Sequence, residues 1–374
     1  MNSLIILGLL VVLMLTGMPI SISLGLTVLS FLFFLTEVPI ESVALKLFTG
    51  IEKFEIMAIP FFILAGNFLT HGGVARRMIA FATSMVGHWH GGLGLGGVVA
   101  CALFAAVSGS SPATVVAIGS ILMPAMVKAG FPKGFGAGVI TTSGALGILI
   151  PPSIVMVMYS VSTNTSVGAL FMAGVIPGLL LAFLLGLTTW YRAKKNNYPC
   201  QPKATWGERW VSFRKAIWGL LLIVVVMGGI YSGIFTPTEA AAMSAVYAFF
   251  VAVFVYKDMG MKDVPRVLLS SANMSAMLLY IITNAVLFSF LLTHENIPQQ
   301  MADQMIGTGI GVIGFLLISN VLLLIAGNFM EPSSIVLILA PILFPIAIKL
   351  GIDPVHFGII MVVNMEVEIG RAHV

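Results

Sequence analysis

Charge is nearly absent from long stretches of this chain, and that one feature decides the solvent in which it folds. Of 374 residues, 9% are charged and 59% hydrophobic, with a mean hydropathy of +1.08. A soluble domain carries about 25% charged residues, so no soluble fold of this length hides so much apolar surface. A helix of about 20 apolar residues spans a bilayer, and lipid offers the backbone no hydrogen bonds. The reading is therefore an all-α polytopic membrane protein. Apolar segments run over 4–35, 56–70, 74–87, 93–107, 112–129, 134–150, 152–161 and 168–191. They resume over 216–235, 238–256, 264–293, 309–329, 332–349 and 355–367. The first breaks near Gly17-Met18-Pro19 and, lacking a small-residue cleavage site, reads as a span rather than a signal peptide. Residues 37–55, with Glu37, Glu41, Lys46, Glu52, Lys53 and Glu55 among apolar neighbours, read as an interfacial helix.

The charge that exists is concentrated. Residues 192–215 hold Arg192, Lys194, Lys195, Lys203, Arg209, Arg214 and Lys215 against the single acid Glu208. A basic loop between spans faces the cytoplasm by the positive-inside rule; a nucleic-acid patch does not suit a chain this apolar. Cys101 and Cys200 form neither a disulfide framework nor a zinc motif. His88-Trp89-His90 has no further ligands nearby in sequence and reads as an interfacial anchor. Thr236-Pro237-Thr238-Glu239 has the spacing of a helix-capping box. Without HExxH, paired intramembrane aspartates or a Ser–His pairing, the sequence does not read as an enzyme.

The basic loop divides the chain into 1–191 and 216–367, and the halves share a pattern. In the first, Ser111-Pro112 opens an apolar helix that reaches Pro124, Lys128 and Gly130, then Phe135-Gly136. In the second, Glu331-Pro332 opens one that reaches Pro345, Lys349 and Gly351, then Phe357-Gly358. Duplicated halves point to a transporter with its site at the repeat interface.

Two interruptions carry the candidate chemistry. At Ser108-Gly109-Ser110-Ser111-Pro112 small residues separate two apolar runs, so the chain turns back inside the membrane, where irregular backbone survives only against protein or a watery cavity. A tight turn with Ser111 as helix cap and Pro112 at the first helical position is an equally open reading. At Gly144-Ala-Leu-Gly147-Ile-Leu-Ile150-Pro151-Pro152-Ser153 the prolines remove two donors and free upstream carbonyls beside Thr142 and Ser143, an oxygen-rich setting for a small hard cation. In the second half, Asn328, Glu331 and Ser333 occupy the place of the serine turn. An intramembrane carboxylate is a functional candidate by default, though Glu331 can equally cap the helix beginning at Pro332. Ser111, Thr142, Ser143, Gly144, Ser153, Asn328, Glu331 and Ser333 are thus the candidates for the substrate path.

Together these residues resemble the large membrane subunit of tripartite ATP-independent periplasmic (TRAP) transporters, the DctM-like family. The likeness runs from Gly17-Met-Pro-Ile20 to Asn364. It takes in the segments 58–66, 72–77, 108–110, 147–153, 233–242, 297–300 and 351–358. It implies an inverted-repeat, elevator-type secondary transporter with re-entrant hairpins and broken helices in the bacterial inner membrane. It also implies sodium coupling, with no other cofactor. A small organic acid (C4-dicarboxylate, 2-oxoacid or sugar acid) would arrive on a periplasmic substrate-binding protein, and a separate small four-span subunit would complete the complex. By family motif, Ser108 and Ser110 with Gly147, Ile150 and Pro152 would hold sodium. The family often reads Ala-Val-Ala-Asp after the turn, where this chain has Ser111-Pro112-Ala113-Thr114. A rival within transport is an ion-coupled dicarboxylate or anion carrier that needs no binding protein. Counting from Gly358 as from Gly136, the second broken helix is expected to begin at Glu366, yet charges follow and no proline pair does. The expectation is that further spans are missing and that 368–374 is a non-native tail.

Overall fold

In the computed structural model, residues 2–369 are described apart from Glu37, Thr308, Ile310 and Phe329. Glu37 of the expected interfacial segment and 370–374 of the expected non-native tail therefore lie outside the described residues. Helix α1 (Asn2–Leu15) and α2 (Ile20–Leu35) are parted at Gly17–Pro19, as the sequence suggests. Helix α3 (Ile40–Thr49) is too short to cross and packs against α13, introduced below. After a 3-10 turn come α4 (Ala58–His71), α5 (Val74–Val86), α6 (Gly92–Ser108), α7 (Ser111–Lys128), α8 (Lys133–Gly144), α9 (Ile154–Thr163) and α10 (Val167–Lys195).

Beyond the basic loop run α11 (Trp206–Tyr231), α12 (Pro237–Phe250, extended by a π turn to Val255), α13 (Val264–His294) and α14 (Ile297–Gly307). The chain ends in α15 (Val312–Ala326), α16 (Pro332–Lys349) and α17 (Pro354–Ile369). Among the described residues, seven helical segments are long and apolar enough to cross a membrane. Thr205 with Glu208 and Thr236 with Glu239 form reciprocal capping boxes at the starts of α11 and α12. Each such cap stabilises its helix by ~1 kcal/mol. Thr236-Pro237-Thr238-Glu239 thus has the structural role its spacing suggests.

The two hairpins, α6–α7 and α15–α16, open toward opposite sides of the bundle. Helix α6 starts beside the end of α10, where Gly91 lies against Ala193 and Gln201 donates to the Gly87 carbonyl. Helix α7 returns to the same side: the Phe131 and Phe135 rings pack on Tyr198 of the basic loop, at 5.6 and 4.7 Å. The α6–α7 hairpin therefore enters from the basic-loop side and turns inside. Helices α8 and α9 make one crossing, interrupted between Ala145 and Ser153. At the far end of α9, the Lys53 ammonium donates to the Val161 carbonyl (2.5 Å) and to Asn164 Oδ1 (2.7 Å), closing the helix. The α15–α16 hairpin opens toward that far side, because Tyr159 of α9 donates to the carbonyl of Pro354, just past α16 (2.8 Å).

The repeated sequence pattern has a structural counterpart. Helices α7 and α16 each have 18 residues and each ends on a lysine. Helix α17 continues through Glu366 to Ile369 without the break that α8 and α9 have in the first half. No glycine or proline lies between Gly358 and Ile369 to interrupt the ladder.

Candidate functional site

The two hairpin turns meet the broken crossing around a cavity of 810 Å³. Its wall takes Gly109–Pro112 from the first turn and Gly327, Asn328 and Met330–Ser333 from the second. The broken crossing adds Thr141, Ile148, Ile154 and Val155, and α13 closes the cavity with Met274, Met277 and Leu278.

The first turn is built by close backbone packing. Gly109 takes a left-handed conformation (φ 61°) open to glycine without strain, and its carbonyl accepts from the Ile154 amide (3.1 Å). Gly147 lies so close to the turn that a Cβ would sit 2.7 Å from the Ser110 carbonyl carbon and oxygen. The helix cap is Ser110 rather than Ser111: α7 begins at Ser111, with Pro112 in its second position. The Ser111 hydroxyl has another task, donating to the Ala145 carbonyl across the break (3.1 Å).

An oxygen cluster sits beneath the turn. Ser108 Oγ and Thr114 Oγ1 are 2.9 Å apart, and both reach the Ser110 carbonyl, at 3.4 and 2.8 Å. Ser108 and Thr114 are fully buried. In the break, Pro151 and Pro152 stand where the amides that would bond the Gly147 and Ile148 carbonyls belong. The Ser153 hydroxyl replaces one of them, donating to Ile148 O (2.5 Å) while capping α9 through the Met156 amide (3.3 Å). The Ile154 amide, the i+4 donor for Ile150 O, is turned to Gly109 instead. The Gly147 and Ile150 carbonyls therefore lack their i+4 helical donors, and Gly147 lies next to the Ser110 turn.

The sequence candidates thus separate into two groups. Ser110, Ser111, Asn328, Glu331 and Ser333 line the cavity. Ser108, Gly147 and Pro152 lie behind its wall, close to the first turn, whereas the Ile150 side chain packs with Ala105, Ala106 and Leu146. Thr142 bonds back to the Gly138 carbonyl (2.7 Å), Ser143 is buried away from the cavity, and Gly144 packs on Val115. Glu331 does occupy the cap position of α16, but its carboxylate takes no backbone amide; Oε1 accepts from the Ser333 and Ser334 hydroxyls (2.6 and 3.3 Å). Sequence reasoning passed over Thr114, Thr141 and the α13 residues. Thr114 carried a usable signal, being one helical turn beyond Ser110.

Residues 7–371 match the family model of the tripartite ATP-independent periplasmic transporter, DctM component. The chain belongs to the DctM family of TRAP transporter permeases. A relative from Rhodobacter capsulatus, a C4-dicarboxylate TRAP transporter large permease protein DctM, is 74% identical across 100% of this chain and 88% of its own length. A Vibrio cholerae protein of the same description is 50% identical over 95% of this chain and 83% of its own. A sialic acid TRAP transporter large permease from Vibrio cholerae is 37% identical over 96% of this chain and 84% of its own. Among solved structures, the Alcanivorax borkumensis YdaH transporter superposes with a TM-score of 0.53 at 13% identity. That alignment covers 84% of this chain and 75% of the other, a likeness of fold. The permease is a multi-pass membrane transport component, not an enzyme.

Proposed function

We propose that this permease is the large subunit of a sodium-coupled TRAP transporter that imports a C4-dicarboxylate through the bacterial inner membrane. A periplasmic binding protein delivers the substrate, and a small four-span subunit completes the membrane complex. The observation that carries the reading is the cavity between two oppositely entering hairpin turns. The C4 class is supported by relatives at 74%, 57% and 50% identity described as C4-dicarboxylate permeases. Relatives described for isethionate and for sialic acid are more distant than these, at 43% and 37%.

The chemistry of the wall suits an organic anion on the first-turn side. The starts of α7 and α9 both open there; the Ile154 and Met156 amides of α9 are already bonded to Gly109 O and Ser153 Oγ, and each helix start still carries roughly half a positive charge. Such an end attracts an anion by ~0.3–2 kcal/mol, more where water is excluded. Sodium is held by the adjacent oxygens: Ser108 Oγ, the Ser110 carbonyl and the donor-less carbonyls of Gly147 and Ile150, with Pro152 closing the break. Backbone carbonyls replacing a hydration shell are a recurrent way to bind a monovalent cation. Because ion and substrate would share the turn, binding of each favours the other, which is the linkage symport needs. Transport then moves the hairpins and broken helices as one elevator body, with the basic loop on the cytoplasmic side.

The test is uptake of labelled succinate into proteoliposomes holding the full complex and its binding protein. Accumulation driven by an inward sodium gradient, and abolished when potassium replaces sodium, supports the reading. Sodium-independent accumulation overturns the coupling. Undiminished uptake without the binding protein would favour the carrier that needs none.

A further inference from the structure

The two turns facing the cavity each lead into a helix that opens on a proline, and they differ in charge. Ser111-Pro112 at the start of α7 corresponds to Glu331-Pro332 at the start of α16. On the first side the cap is the neutral Ser110, so nothing offsets the positive start of α7. On the second side a carboxylate stands at the cap and offsets the start of α16. Its Oε1 is engaged by Ser333 and Ser334, whereas Oε2 has no hydrogen-bond partner among the described residues. Among the described wall residues, Glu331 is the one charged or titratable group; those contributed by α7, α8, α9, α13 and the α15–α16 turn include no other.

We infer that Glu331 is a specificity-determining residue that makes the site one-ended. One end of the substrate must be a carboxylate, at the first turn. The other end, facing Glu331, must present a hydrogen-bond donor. A second ionised carboxylate placed there meets an acceptor of the same charge, with no arginine or lysine on the described wall to mediate. The singly protonated form of a dicarboxylate satisfies both ends, its remaining O–H donating to Glu331. The fully ionised form does not. This inference rests on the C4-dicarboxylate reading above and adds which ionic form is bound.

The experiment is calorimetric binding to the purified membrane complex at fixed sodium, without the binding protein, from below to well above the second ionisation of succinate. The probes are succinate and succinamate, which has one carboxylate and an amide donor at its far end. For the unaltered protein, the apparent Kd of succinate should rise about tenfold per pH unit once the monoanion becomes scarce, while that of succinamate stays level. Glu331→Gln supplies an N–H donor of its own and should flatten the succinate profile; Glu331→Asp, which keeps the carboxylate, should preserve the slope. A level succinate profile in the unaltered protein, or an unchanged slope in Glu331→Gln, overturns the inference and leaves the C4 reading standing. Binding of neither probe at any pH would remove the C4 reading, and this inference with it.

Discussion

Gly147 in the broken crossing touches the Ser110 backbone so closely that its missing side chain is part of the contact: a Cβ would lie 2.7 Å from the Ser110 carbonyl. Backbone on backbone cannot yield as a flexible side chain can. Gly147→Ala should therefore lift the first turn off the break at a cost of ~1–3 kcal/mol, the usual range for overpacking. The expected result is a lower unfolding midpoint and a several-fold rise in the sodium needed for half-maximal uptake. Gly138→Ala is the control, since nothing lies within 4 Å of a Cβ there. Equal behaviour of the two variants would show that the contact is not needed.

Ser108, Thr114 and the Ser110 carbonyl form a closed set of buried oxygens. Replacing both Ser108 and Ser110 by alanine should raise the half-maximal sodium concentration at least several-fold. Thr114→Val removes a hydroxyl from the same cluster and leaves Ser108 without its nearest partner, a loss of ~1–3 kcal/mol for a buried polar group. It should move the sodium dependence in the same direction, and Thr114→Ser should restore most of it. Sodium titrations that superpose for the unaltered and double-alanine proteins would remove the cluster from the coupling site.

What the sequence disclosed follows the cost of irregular backbone in lipid. Ser108–Pro112 and Gly144–Ser153 stood out because runs of Gly, Ser and Pro are costly within a span unless something satisfies them, and both became turns facing one another. The rotation of each helix about its axis left no such trace. Thr141 lines the cavity and Thr142, next along, does not, although both hydroxyls bond back to carbonyls of their own helix. Met274, Met277 and Leu278 line the cavity yet look in sequence like residues facing lipid, because both surroundings suit apolar side chains. Nor does the sequence show that the Ser153 hydroxyl bonds a carbonyl freed by the prolines, or that Ser111 both lines the wall and donates to Ala145.

Cys200 offers a direct reading of orientation. It is exposed in the basic loop, 3.5 Å from His90 Nδ1 at the mouth of the first hairpin, while Cys101 is fully buried in α6. In intact cells a maleimide that cannot cross the inner membrane should leave the protein unlabelled, and opening the membrane should give one label per chain, lost in Cys200→Ser. Labelling of Cys200 from the periplasm would reverse the topology, and with it the side from which each hairpin enters.

On the basic-loop side, Asp258 joins three elements. Its carboxylate receives Arg76 (3.1 Å) and Arg77 from the first turn of α5, and Arg77 also stacks on Tyr256 at 3.8 Å. Tyr256 in turn donates to the Lys215 carbonyl in α11 (2.7 Å). Burial by itself would raise the Asp258 carboxyl; the hydrogen bond and charge of Arg77, aided by Arg76, outweigh it and hold the group below its ordinary value. A carboxyl depressed on folding contributes stability that is complete above its unfolded value, about 4. That contribution is lost as pH falls through the folded value. The Asp258 side chain is 26% exposed and Arg76 62%, so solvent screening limits it to about 1 kcal/mol. Asp258→Asn should therefore unfold earlier than the unaltered protein by a margin that is constant from neutral pH down to about 5. The margin should narrow below about 4 as the unaltered carboxyl takes up its proton. Thermal unfolding of the two proteins in detergent across that range is the measurement. A margin that persists undiminished at the acid end would mean that Asp258 acts through packing, and not through its charge.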